Sequence, residues 1–316
     1  MIEHVGKSRR LKKALHIVYF IFLGLGVFLV ARSFDLEALQ GLALSIPILF
    51  ASVLVGIVNR LWMVLVFLLA LNKRPSSKKK IQIFFAALGV FGKTWMSRYF
   101  PVKGAWVVHR LALSRTLSVS KTQMTTSTAL ESLTQFFGMA TVASVLVFAR
   151  PETLGNLAWL ILGLPLLAGL FLYMGSGHAL TRAIGILSRL KGVNPGEFST
   201  PPFPIFAQVA GAQVVTALFS GTATALIVIS VAGPIDFADI MFVVGVTALT
   251  NLLSIFAFFA PAGIGVREGA YIVAFQTLVS FEVAVVIAVI ARVWSLTVDL
   301  LFFVISQAPN YPRRIS

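Results

Sequence analysis

The sequence predicts an all-α polytopic integral membrane protein, because of its composition and because long apolar runs recur to the end of the chain. Hydrophobic residues fill 58% of the 316 positions, charged residues fill only 12%, and the mean hydropathy is +0.93. Soluble domains carry about 25% charged residues. Since no polar block is long enough for a separate soluble catalytic domain, we expect one transmembrane domain over residues 1–316.

Nine apolar runs supply the predicted helices, and several approach the ~20 residues that cross a bilayer. The first run follows a basic cluster, as in a signal peptide, but it lacks a small-residue cleavage site and is expected to be a retained helix. We expect about 6–8 spanning helices. The runs lie at about 14–31, 39–71, 81–97, 129–149, 157–173, 205–232, 239–259, 270–279 and 283–306.

Net charge excludes some functions and orients the helices. The chain carries 26 Lys+Arg against 11 Asp+Glu, a formal charge of +15. In a membrane protein this excess indicates cytoplasmic loops held against anionic lipid headgroups, and not nucleic-acid binding. We therefore expect a cytoplasmic (inner) membrane protein with both termini cytoplasmic. The chain has no cysteine and its four histidines are scattered, so the sequence predicts neither a metal site nor a cofactor.

Two proline and glycine breaks interrupt the apolar runs. If 81–97 crossed the membrane completely, six cationic residues between Lys93 and Lys121 would lie in or beside an external loop. A re-entrant hairpin broken near Pro101 and Gly104 resolves that conflict. The second break has the same pattern, an aromatic residue two positions before Pro261 and glycines soon after it.

The similar breaks predict an inverted repeat, with 14–150 as the first repeat and 157–306 as the second. Each break is preceded by three apolar runs and followed by a short segment and a long span. Five segments per half would place the halves in opposite orientations, so that the two breaks approach the midplane from opposite faces. We expect the functional site at that midplane.

Charge at membrane depth marks the candidate site. A charged side chain there costs from ~3 to more than 10 kcal/mol, so it must line a solvated cavity or have a partner. Five cations, with Lys93 among them, exceed three acids by two, which predicts an anionic ligand, and a guanidinium can bind two phosphate oxygens at once. The predicted binding residues are Arg60, Arg98, Pro101, Gly104, Glu131, Asn251, Pro261, Gly263, Gly265, Arg267, Glu268 and Arg292.

Pairing among these charges stays open in the sequence. Arg267 and Glu268 are adjacent and diverge on a helix, so each is expected to meet another segment. Glu268 could match Arg60 or Arg292, and Glu131 could match Arg267; a purely structural network is the alternative. Lys93 and Arg98 are the cations most suited to snorkel to an interface. Serine, threonine and glycine stripes along the helices are more typical of helix packing than of a cavity lining.

The segment Pro261-Ala-Gly-Ile-Gly-Val-Arg-Glu-Gly269, with upstream Pro101, Gly104 and Arg110, carries a resemblance. It resembles the flippase-like transmembrane domain found at the N-terminus of bacterial lysylphosphatidylglycerol synthases and as stand-alone proteins. The resemblance implies translocation of an anionic phospholipid, aminoacyl-phospholipid or lipid-linked intermediate. Lys103 and Trp106 depart from that pattern. No soluble aminoacyltransferase domain follows the last apolar run, so we expect transport without synthesis.

Catalytic patterns are weak, so no catalytic residue is assigned. The sequence has no Ser/His/Asp arrangement, no histidine-rich metal spacing and no phosphate-binding P-loop. We expect a lipid transporter and not an enzyme. The alternatives are an intramembrane enzyme of lipid or polyprenyl metabolism, or a membrane partner of a glycosyltransferase or synthase.

Overall fold

The computed structural model describes residues 44–72, 80–99, 105–149, 202–256 and 265–308, together with the isolated positions 163, 165 and 169. Every regular element in these ranges is a helix, which confirms the all-α prediction. The predicted first helix at 14–31 and nearly all of the run at 157–173 lie outside the described residues.

The first half contains four main helices of 26, 17, 8 and 23 residues, followed by a helix of five residues. A 3-10 turn, Ser97–Tyr99, continues the second helix, and another, Ser114–Leu117, precedes the fourth. The helices are α1 Ile46–Leu71, α2 Lys80–Met96, α3 Ala105–Ala112, α4 Lys121–Ala143 and the short α5 Val145–Ala149.

The second half repeats this succession of lengths. Its four helices have 30, 20, 10 and 27 residues, against 26, 17, 8 and 23 for α1 to α4. Ser120 and Ser280 cap the last long helix of each half, and each stands 19 residues after the proline of its break. The helices are α6 Phe203–Ala232, α7 Phe237–Phe256, α8 Val266–Phe275 and α9 Phe281–Gln307.

Four described helices are long and apolar enough to cross a membrane, namely α1, α6, α9 and the segment 237–255 of α7. The protein is therefore an all-α membrane protein. With 17 residues, α2 is at the lower limit of the about 17–25 that span a bilayer.

The predicted start of α4 at residue 129 is wrong, because the helix begins at Lys121. Its first two turns are rich in threonine and serine, so hydropathy does not detect them. The Ser120 hydroxyl accepts a hydrogen bond from the Gln123 N–H at 3.0 Å and caps the helix in the usual way. The hydroxyls of Thr125, Thr128 and others donate to carbonyls of the same helix, which favours packing over cavity lining.

The second helix of each half packs against the last long helix of the other half. Helix α2 packs against α9, and α7 packs against α4, while α1 and α6 lie together at the centre. Glycines permit the close approaches: a Cβ at Gly92 would lie 2.0 Å from the Ser306 Oγ, and one at Gly245 would lie 2.6 Å from Leu146. Such contacts are typical of membrane helices, which associate through small residues.

Candidate functional site

The first ion pair joins Asp299 on α9 to Arg60 on α1. Its Oδ1 accepts a hydrogen bond from Arg60 Nε at 2.8 Å, and its Oδ2 accepts one from the Tyr99 hydroxyl at 2.6 Å. Arg60 stands near the middle of the 26-residue α1, and only 12% of its side chain is exposed. The pairing of Arg60 with Glu268, one of the sequence alternatives, is therefore wrong.

The second ion pair is nearly sealed from solvent. Arg110 Nη1 on α3 lies 2.6 Å from Glu131 Oε2 on α4, with side-chain exposures of 2% and 6%. The Arg110 guanidinium also lies 4.3 Å from the centre of the Phe67 ring. The sequence alternative that paired Glu131 with Arg267 is therefore wrong.

Arg110 was missing from the predicted site because it lies in none of the predicted apolar runs and was not counted among the charges at membrane depth. The structure places Arg110 on a buried face of the eight-residue α3. A sequence signal existed: Trp106 and Val107 stand four and three residues before Arg110, so they share a helix face with it.

Glu268 joins the last pair, which is looser and more exposed. Arg292 Nη1 on α9 lies 3.6 Å from Glu268 Oε1 on α8, with both side chains 23% exposed. The other carboxylate oxygen of Glu268 accepts a hydrogen bond from the Gly265 N–H at 2.7 Å and caps the start of α8. Gly265 has φ +84°, a conformation that favours glycine. Of the two sequence alternatives for Glu268, Arg292 is confirmed.

Two of these ion pairs occupy corresponding places in the two halves, with the positive and negative residues exchanged. In each half, one pair ties the short helix to the long helix that follows it. Arg110 supplies the cation from the short α3, whereas Glu268 supplies the anion from the short α8. Each segment that follows a break is thus attached to its own half by one charged contact.

Arg98 and Arg267 are cations without an acidic partner among the described residues. The Arg98 guanidinium lies 3.5 Å from the centre of the Trp95 ring and donates no hydrogen bond within the described ranges. Arg267 donates from Nε and Nη2 to the Tyr271 hydroxyl at 3.3 and 3.1 Å. Aromatic groups therefore position both cations and leave their charge uncompensated.

Alternating arginines and tryptophans connect the two tighter ion pairs. We call this set, Arg60, Trp95, Arg98, Trp106 and Arg110, the arginine–tryptophan ladder. Arg60 lies 4.7 Å from the Trp95 ring centre, and Trp106 has Arg98 at 5.3 Å and Arg110 at 5.4 Å. Arg98 occupies the middle of the ladder, between two indole rings. The ladder runs from the pair on α9 to the pair on α4.

The predicted set of five cations and three acids is wrong in one member. Lys93 is exposed on α2 and lies outside the cluster. Buried Arg110 takes its place. We call the resulting set the charged cluster: the cations Arg60, Arg98, Arg110, Arg267 and Arg292 and the acids Glu131, Glu268 and Asp299. The Asp299 carboxylate interacts electrostatically with both Arg98 and Arg267, which places these two arginines in the same cluster.

Other predicted site residues lie outside the cluster or outside the described ranges. Asn251 is half-buried on α7, and no described hydrogen bond joins it to the charged cluster. The break residues Pro101, Gly104, Pro261 and Gly263 lie outside the described residues. No group of histidine, aspartate and glutamate that could hold a metal occurs in the part of the chain that the structure describes.

Neither family models nor curated proteins offer a relative from which the activity could be transferred. No family model matches the chain, and no curated protein sequence matches it. We therefore infer the function from the residues of the charged cluster.

Proposed function

We propose that this protein translocates an anionic lipid across the membrane, with the headgroup bound by Arg98 and Arg267. The observation that carries the proposal is that these two arginines have aromatic partners in place of acidic ones. Arg98 stands three residues before Pro101, and Arg267 stands six residues after Pro261. Each break thus has one uncompensated cation beside it. A cation held at membrane depth without an acid requires an anion to offset its desolvation.

The positions of three charged residues along their helices support transport of the headgroup through the membrane interior. Arg60, Glu131 and Arg292 stand near the middle of α1, α4 and α9. A 26-residue helix is about 39 Å long, so its central residues lie at the level of the hydrocarbon core when it crosses. We propose that the headgroup crosses at this level while the acyl chains remain in lipid.

The repeated order of helices and the reciprocal packing of α2 on α9 and α7 on α4 support an inverted repeat. In this proposal the two broken segments re-enter the membrane from opposite faces and act as alternating gates. The protein resides in the cytoplasmic membrane with both termini cytoplasmic. Its partners are the transported lipid and the anionic headgroups at its basic loops. The resemblance to the flippase-like transmembrane domain of lysylphosphatidylglycerol synthases is in keeping with this function.

Reconstitution tests the proposal directly. The purified protein is placed in vesicles that contain a small fraction of acyl-labelled phospholipid, and an impermeant reductant then bleaches label in the outer leaflet. We expect bleaching of the inner-leaflet pool to proceed much faster than in protein-free vesicles for an anionic lipid.

Matched charge variants make the test specific. The double variant Arg98→Gln/Arg267→Gln should bleach the inner-leaflet pool no faster than protein-free vesicles do. Lys93→Gln, which removes one exposed charge from α2, should bleach it as fast as the wild-type protein. Bleaching no faster than in protein-free vesicles for every lipid would refute translocation. A chemically altered lipid, detected by mass spectrometry, would favour the enzyme alternative.

A further inference from the structure

We infer that the headgroup bound by this site is dianionic: a phosphomonoester or a diphosphate on a lipid. The inference deepens the proposed function and rests on it. It starts from the charge left over in the cluster, five arginines against three acids. Arginine stays protonated at every pH a cell experiences, so this excess of two is permanent.

None of the three carboxylates is free to neutralise Arg98 or Arg267. Asp299 has Arg60 on one oxygen and Tyr99 on the other. Glu131 is committed to Arg110 at 2.6 Å, and its side chain is only 6% exposed. Glu268 meets Arg292 with one oxygen and the backbone of Gly265 with the other.

Arg98 is held by aromatic rings and keeps its hydrogen-bond donors free of described acceptors. Trp95 lies 3.5 Å from its guanidinium carbon and Trp106 lies 5.3 Å away, so two indole rings contact the cation. Its five N–H donors point outward in the plane of the guanidinium and donate to no described residue. Phosphate oxygens match this planar set of donors, because two of them can be bound at once.

Arg267 supplies the second charge in a similar way. Two of its nitrogens donate to the single hydroxyl of Tyr271, which orients the guanidinium without changing its charge. The remaining nitrogen, Nη1, donates to no described acceptor. Tyr271 itself is 1% exposed and lies one turn after Arg267 on α8, so a buried hydroxyl holds the guanidinium.

The headgroup class follows from charge matching. A phosphodiester such as that of phosphatidylglycerol carries one negative charge and would leave one cation uncompensated at membrane depth. A phosphomonoester carries about −1.5 to −2 at pH 7, and a diphosphate diester carries about −2. Only these two classes bring the cluster close to neutrality.

Binding to the full-length purified protein tests the inference separately from transport. Tryptophan fluorescence is the readout, because two of the five tryptophans flank Arg98. The probes are phosphatidic acid, a polyprenyl diphosphate sugar, which is a diphosphate diester, phosphatidylglycerol and phosphatidylcholine in detergent micelles, with inorganic phosphate as the free ion. We expect each dianionic lipid to bind at least about tenfold more tightly than phosphatidylglycerol, because one extra charge is matched in a poorly solvated site.

Variants assign that preference to the two arginines. Arg98→Gln and Arg267→Gln should each reduce the preference to about twofold or less, and Lys93→Gln should leave it unchanged. Arg98→Lys keeps the charge and should keep a preference for dianions even if the affinity falls. The comparison among lipids in the wild-type protein needs no variant to fold.

The outcomes separate this inference from the proposed function. Equal or tighter binding of phosphatidylglycerol would overturn the inference even if the protein moves lipids. Inorganic phosphate that binds as tightly as phosphatidic acid would overturn the assignment to a lipid. Selective binding of dianionic lipids without any translocation would uphold the inference and refute the translocase. A stronger response to the diphosphate than to phosphatidic acid, or the reverse, would identify which dianionic class the site takes.

Discussion

Replacement of Glu131 by glutamine should strongly destabilise the protein. The change leaves Arg110 with 2% exposure and no carboxylate. At 2.6 Å, and with an effective dielectric constant of about 20, the lost attraction is about 6 kcal/mol. Rearrangement of the side chains around Arg110, and a hydrogen bond from Arg110 to the glutamine oxygen, offset part of this lost attraction. We therefore expect the free energy of unfolding to fall by about 3–5 kcal/mol.

Glu268→Gln is the matched control, because it makes the same chemical change in the equivalent pair of the other half. That pair is separated by 3.6 Å with both side chains 23% exposed, so solvent screens it. A glutamine oxygen can still accept the hydrogen bond from Gly265 N–H. We expect a loss of about 1 kcal/mol or less.

Reversible unfolding in mixed detergent micelles measures both variants. The double variant Arg110→Gln/Glu131→Gln should recover a large part of the stability lost by Glu131→Gln alone, because neither charge is then buried without a partner. Equal losses for Glu131→Gln and Glu268→Gln, or no recovery in the double variant, would show that burial of the ion pair is not the cause.

Three further predictions concern packing, topology and the ligand. Gly92→Ala should lose about 1–3 kcal/mol in the same unfolding measurement, because its Cβ would overlap the facing serine of α9, while Gly89→Ala should be nearly neutral. Cysteines at Ser77 and Ser118 should both be shielded from an impermeant thiol reagent applied outside the cell; labelling at 118 comparable to a periplasmic control would contradict the re-entrant hairpin. Arg267→Lys should lose most transport in proteoliposomes despite retaining its charge, because lysine lacks the paired donors; wild-type rates would remove this residue from phosphate binding.

Sequence reasoning located the long helices because their signal is local. The predicted runs at 205–232 and 283–306 differ by no more than two residues at either end from the helices Phe203–Ala232 and Phe281–Gln307. Each is predominantly apolar, with a mean hydropathy of 2.1 over its most apolar window, so a hydropathy window detects it despite the few polar residues. Helix α4 was shortened because its first turns are polar and owe their helical state to the Ser120 cap and to packing. A short segment was predicted after the first break, but α3 was not among the apolar runs because its eight residues are too few to register as one.

The members of the site were largely predictable, but their pairing was not. Charge in an apolar run stands out, so Arg60, Glu131, Arg267, Glu268 and Arg292 were all identified. Their partners depend on tertiary packing: Arg60 meets an acid 239 residues away. No local pattern encodes such a contact. The roles of the aromatic rings were equally hidden, since tryptophan and tyrosine beside a membrane helix are ordinary interface residues.

The permanent charge of the cluster bears on how translocation is coupled to binding. With no anion bound, the site holds two cations without acidic partners, Arg98 just after the end of α2 and Arg267 in the first turn of α8, and any motion that removes their remaining solvent increases the cost of burying them. With a dianionic headgroup bound, the cluster is close to neutral and the same motion no longer desolvates net charge. On the proposed function, the loaded protein therefore closes around its ligand more readily than the empty protein does. The two arginines would then both recognise the headgroup and make gate closure depend on its presence.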